Sequence, residues 1–176
     1  LDEAIRIQRQ IADRDPLNGP AIGTLAFYLL HADRFEDSAA LFRHELTLNP
    51  HTLGNHALIG VALALLGKGE EASAQIAQER HEGFRLWATA LAHAALGRRE
   101  EADAVVKEMR KSPTVDAYAL AQLYAVRGNR NAAFEWLHRA CIEGQGGCEM
   151  VKIDRFLRGL RDDGRYRTLL AHMKLE

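Results

Sequence analysis

The chain is 176 residues long, with 23 Lys+Arg against 24 Asp+Glu and a net charge of −1. So even a balance, with no long run of either sign, excludes the electrostatic footprint of a nucleic-acid binder. No apolar run approaches the ~18 residues of a membrane span, the longest being Ile59 to Leu66, interrupted by Gly60.

Apolar periodicity and Pro/Gly punctuation predict nine helices in chain order. They are Asp2–Arg14, ending at Asp15-Pro16, Pro20–His31, and Phe35–Leu48, ending at Asn49-Pro50. Thr52–Leu66 follows, closed by Gly67, then Glu70–Glu82, closed by Gly83. Phe84–Leu96 ends at Gly97, Arg99–Lys111 at Ser112-Pro113, Val115–Arg127 at Gly128, and Arg130–Glu143 runs into a glycine-rich loop. Strand-like alternation is nowhere sustained, so the fold class is all-α.

These helices come in pairs that repeat. Pro16 and Pro50 lie 34 positions apart and close similar stretches, and Gly67, Gly97 and Gly128 follow at intervals of 30 and 31. A two-helix unit of about 34 residues resembles the tetratricopeptide repeat (TPR). The resemblance implies a right-handed superhelix of about four and a half units, whose units stack because none can bury its apolar face alone. Second helices such as Glu70–Glu82 are amphipathic, whereas first helices such as Thr52–Leu66 are apolar nearly all round and need neighbours on every side.

From residue 54 onward the resemblance narrows to a bacterial TPR lineage. It rests on Glu82-Gly83-Phe84-Arg85-Leu86, Ala94-Ala95-Leu96-Gly97-Arg98-Arg99 and Glu101-Ala102-Asp103-Ala104. It continues through Ala117-Tyr118, Ala133-Phe134-Glu135-Trp136-Leu137, Lys152-Ile153-Asp154 and Arg165-Tyr166. In that lineage such a block ends large regulators, including adenylate cyclases, winged-helix transcriptional regulators and some Ser/Thr kinases. The chain is therefore expected to be the C-terminal part of a longer bacterial regulatory protein, with residues 1–143 as repeats, the first incomplete, and 144–176 as loop and capping helices. Where the lineage commonly has a proline after the tail aspartate, this chain has Asp154-Arg155 and Asp163-Gly164. Asp154–Leu160 and Gly164–Met173 are expected to be helical and to cap the last repeat through Phe156, Leu157, Leu160, Tyr166, Leu169, Leu170 and Met173.

No constellation points to catalysis, a metal or a cofactor. His51 and His56 are five apart and read as lying on different helix faces, and His138 with Cys141 and Glu135 lacks a closing ligand. Glu70/Glu71, Glu100/Glu101 and Asp162/Asp163 fall at helix starts, where negative charge complements the dipole. Gly144-Gln145-Gly146-Gly147 follows a helix and reads as a linker, not a phosphate loop. A bridge between Cys141 and Cys148 is geometrically possible, but two ordinary thiols in a reducing compartment are expected.

The expected function is non-catalytic protein–protein interaction, a scaffold within a regulator. Phe27, His31, Val61, Leu65, Trp87, Leu91, Tyr118 and Gln122 are the candidate binding groove, an apolar wall on the first helices that would accept a helix or an extended segment. The Lys and Asn clamp by which some TPR domains hold a terminal carboxylate is absent from that wall. The alternatives are a structural or oligomerising role, the groove filled by the chain's own segments or by a homodimer, and regulation of an attached enzyme such as a cyclase. Neither direct nucleic-acid binding nor membrane contact is expected. The location is expected to be cytoplasmic, or else the periplasmic side of a membrane-anchored parent.

Overall fold

Capping side chains and left-handed turn residues set the helix boundaries in the computed structural model, which describes residues 1–112, 116–144 and 147–175. Among them every regular element is helical and there is no strand, so the all-α expectation holds. The chain forms two compact units, Leu1–Ala102 and Asp103–Glu176.

The first unit holds α1 (Asp2–Arg14), α2 (Gly19–His31), α3 (Phe35–Leu48), α4 (Asn55–Leu65), α5 (Gly69–Ile76) and α6 (Glu82–Ala95). α1 contributes Ile5 to a cluster with Leu25 and Leu29 of α2, while Ile7 and Ile11 stay exposed. Asn18 caps α2 by accepting the Ala21 N–H, and Pro20 occupies its first turn. Polar side chains inside the unit are satisfied across helices, as buried polar groups must be. The Ser38 hydroxyl donates to the Ala26 carbonyl at 2.8 Å, and the Asn55 amide donates to the buried Glu45 carboxylate at 2.9 Å. α4 is buried nearly all round by α3, α5 and α6. Its Gly60 is required by close approach: a Cβ there would collide with Ile76 and lie 3.0 Å from the Ala72 carbonyl.

Two boundaries differ from expectation for one reason. α4 starts at Asn55, not Thr52, because Gly54 turns left-handed at φ 88°. α5 stops at Ile76, not Glu82. Just beyond α5 lies Glu79, only 2% exposed, whose carboxylate accepts the Gly54 N–H at 2.9 Å and the His81 N–H at 3.0 Å. The Arg85 guanidinium donates to the Glu79 carbonyl at 3.0 Å. The chain leaves the helix early so that this carboxylate can satisfy two loop donors.

α7 (Arg99–Met109) crosses the boundary between the units. The second unit continues with α8 (Ala117–Val126), α9 (Arg130–Cys141), two 3-10 turns at Cys148–Met150 and Arg155–Leu160, and α10 (Gly164–His172). The expected helix at Asp154–Leu160 is instead a 3-10 turn over Arg155–Leu160, capped by the Asp154 carboxylate, which accepts the Phe156 N–H at 2.8 Å. Of the expected capping contacts, Phe156, Leu157, Leu160, Tyr166 and Leu169 are buried, and Leu170 and Met173 are half-buried. Val115, the expected start of α8, and the loop residues Gln145 and Gly146 lie outside the described residues.

The cysteines overturn one expectation. Cys141 and Cys148 form a disulfide, with their Cα atoms 5.4 Å apart. Gly144 and Gly147 adopt left-handed conformations, φ 76° and 86°, on the path by which Cys148 returns to Cys141. Sequence spacing alone does not report that return.

One turn recurs four times. Asp33, Gly67, Gly97 and Gly128 all have positive φ, between 63° and 78°, just after a first helix. In each case the next residue's N–H returns to the helix at 2.9 Å: Arg34 to Leu29, Lys68 to Leu63, Arg98 to His93 and Asn129 to Tyr124. This is the Schellman closure, which satisfies a carbonyl that the helix end leaves orphaned. Asp33 is the member that glycine punctuation does not reveal.

Candidate functional site

The eight candidate groove residues divide by exposure and by unit. In the first unit Phe27, Leu65 and Trp87 are half-buried on α2, α4 and α6. His31, Val61 and Leu91, at 1%, 1% and 2% exposure, lie inside the same helices. The His31 ring packs against Phe27, centroids 4.4 Å apart. In the second unit Tyr118 and Gln122 are buried on α8 and face the tail. The Tyr118 hydroxyl and the Gln122 amide donate to one Asp154 oxygen at 2.9 Å and 2.6 Å. Burial, followed by the Asp154 charge, pushes the Tyr118 phenol far above its usual range.

Asp154 is the residue that sequence reading of the site missed. It is completely buried and holds the tail against α8. A tail aspartate that lacks the lineage's following proline was the available signal, but nothing in sequence pairs it with residues 32 and 36 positions earlier.

Two polar recesses were not foreseen. In the first unit His51, Leu53, His56 and Arg80 line a recess of about 300 Å³ beside Glu79. It brings together the two histidines expected on separate faces. The Arg80 guanidinium lies 3.2 Å from His51 Nδ1. The His56 Nδ1 meets the Gln75 amide nitrogen at 2.5 Å. No group of three or more metal-ligating side chains occurs among the described residues. In the second unit a larger groove of about 490 Å³ runs between α7 and α8, lined chiefly by cations.

The residues weighed for chemistry have structural occupations. His138 is exposed and lies 3.4 Å from Glu143, and Cys141 is consumed by the disulfide. Glu70, Glu71, Glu100 and Glu101 are exposed in the first turns of α5 and α7. Asp162 pairs with Arg130 at 2.5 Å. Asp163 caps α10 and is held down at about 2, first by the Arg165 guanidinium and then by the Arg165 backbone N–H. Among the described residues no helix is long and apolar enough to cross a membrane.

No family model, curated protein or solved structure matches the chain.

Proposed function

We propose that this chain is a TPR-type helical array whose role is to bind protein segments without catalysis, as part of a larger bacterial regulator. The observation that carries the reading is the fourfold recurrence of one Schellman turn, after Asp33, Gly67, Gly97 and Gly128, at intervals of 34, 30 and 31 residues. Repeated turns at that spacing favour a stack of two-helix units, an architecture that exists to present surface. The contact would be apolar, with the half-buried Phe27, Leu65 and Trp87 as anchors and Val61 and Leu91 backing them from the interior. A few such anchors supply several kcal/mol at ~25 cal/mol per Å² before ordering costs. The Cys141–Cys148 bridge favours placing the module on the periplasmic side over the cytoplasmic one, because disulfides persist in oxidising compartments.

Selection from a random peptide display library tests the reading. Enriched peptides should share apolar anchors at helical or alternating spacing, and should lose binding to Leu65→Glu and Trp87→Ala proteins that retain their helical spectrum. A library that yields no enriched sequence, or binders indifferent to both substitutions, would sink it.

A further inference from the structure

We propose that the groove between α7 and α8 is a second, electrostatic docking site for an acidic peptide segment of a partner protein. The inference rests on the protein-binding reading but uses different residues and a different kind of contact. On α7, Asp103 and Lys107 lie one turn apart and so share one face, and Arg110 and Lys111 follow in the turn just beyond the helix end. With Arg127 at the end of α8 they place four cations against a single lining carboxylate. Two of the cations are neutralised within the protein: Arg127 pairs with Asp103, and Lys111 with Glu108 at 2.6 Å. Among the described residues Lys107 and Arg110 have no carboxylate partner, and the one side-chain hydrogen bond of Arg110 is to the Tyr124 hydroxyl at 3.3 Å. The floor is apolar, made by Val106 and Tyr124 at 3% and 8% exposure, and the Arg127 guanidinium lies 5.5 Å from the centre of the Tyr124 ring.

The layout selects among anions. A phosphate site draws several donors onto one point, often with a helix N-terminus or a glycine-rich loop. Here the cations are spread over the end of α7, the turn beyond it and the end of α8, none of the lining residues begins a helix, and several separate points of contact suit carboxylates carried on successive side chains. A nucleic acid needs a longer basic track than one groove on a chain of net charge −1. The apolar floor further favours a segment that mixes acidic and aliphatic residues. Helix C-termini also attract cations, which gives Lys107, Arg110 and Lys111 a competing, purely structural role.

Fluorescence anisotropy on the intact chain separates these. The probe is a labelled twelve-residue peptide of alternating glutamate and leucine pairs, compared with the same peptide carrying glutamine for glutamate, with pyrophosphate and with a dT oligonucleotide as competitors. We expect binding that weakens with salt, is lost in the glutamine peptide, resists both competitors and falls at least about tenfold in the Lys107→Gln/Arg110→Gln double variant. Equal binding of the glutamine peptide, or displacement by pyrophosphate or oligonucleotide, would overturn the ligand class. A double variant with a lower melting temperature but unchanged peptide affinity would assign the cations to the helix dipole instead. Leu65→Glu keeps this inference separable from the one on which it rests. If the displayed peptides still respond to Leu65→Glu while the acidic probe does not bind, only the α7–α8 site fails.

Discussion

The Tyr118 hydroxyl donates to the Asp154 carboxylate at 2.9 Å, tying α8 to a residue 36 positions further along the chain. The same carboxylate accepts from the Gln122 amide at 2.6 Å and the Phe156 N–H at 2.8 Å, with no solvent access. Asp154→Ala would leave three buried donors without their acceptor, each costing about 1–3 kcal/mol. We expect urea denaturation to show a loss of at least ~3 kcal/mol. A loss below ~1 kcal/mol would mean that water replaces the carboxylate and that Asp154 does not organise the tail.

The same pair sets an alkaline limit, and Asp163 an acid one. An unfolded tyrosine ionises near ~10, whereas burial and the Asp154 charge keep Tyr118 protonated far above that. Above pH ~10 the folded state therefore binds more protons than the unfolded state, and stability falls as pH rises. Asp163 has the opposite sign: its pKa of about 2 lies below the unfolded ~3.9, so its contribution is present above that value and is lost as pH falls through about 2. Melting temperatures across pH should show a shallower alkaline decline in Tyr118→Phe and a shallower acid decline in Asp163→Asn. Parallel curves for wild type and variants would refute both assignments.

Local chemistry was legible in the sequence and distant chemistry was not. α1 and α3 have the expected bounds because Asp15-Pro16 and Asn49-Pro50 stop helices by backbone sterics that need no tertiary partner. α5 lost its last turns to Glu79, whose partners Gly54 and His81 lie on either side of a helix end that periodicity alone would extend. Apolar character marked Leu91 and Val61 as candidates for a binding wall, yet apolar character is equally what burial requires, and both proved interior. The groove beside Lys107 and Arg110 was not legible, because sequence could not show that Arg127 and Tyr124 close it.

The disulfide closes a loop of eight residues including both cysteines. For so short a loop the entropic contribution is about 2.5 kcal/mol. Cys141→Ser/Cys148→Ser should melt lower by roughly the amount that reductant lowers the wild type, and reductant should leave the double variant unchanged. Alkylation without prior reduction, read by mass spectrometry, checks the bridge directly. Two alkylated cysteines in protein purified without reductant would return the pair to free thiols.

Trp87 and Leu91 occupy one helix, and comparing their truncation tells an anchor from a core residue. Leu91 is 2% exposed, so Leu91→Ala removes interior contacts and should cost ~2–5 kcal/mol. Trp87 is only half-buried, so part of the residue meets solvent in the folded chain. Truncating a fully buried aromatic costs ~3–5 kcal/mol, so Trp87→Ala should cost less than that. Binding should show the reverse order, because enclosing a partly exposed indole against a partner is what makes tryptophan an interface anchor. The expected result is therefore a modest fall in melting temperature with loss of the selected peptides in Trp87→Ala. Leu91→Ala, at a temperature where it remains folded, should melt much lower but keep most of its affinity. If Trp87→Ala destabilises as much as Leu91→Ala and its residual folded fraction binds normally, the indole is part of the core and the apolar contact must be sought on another face.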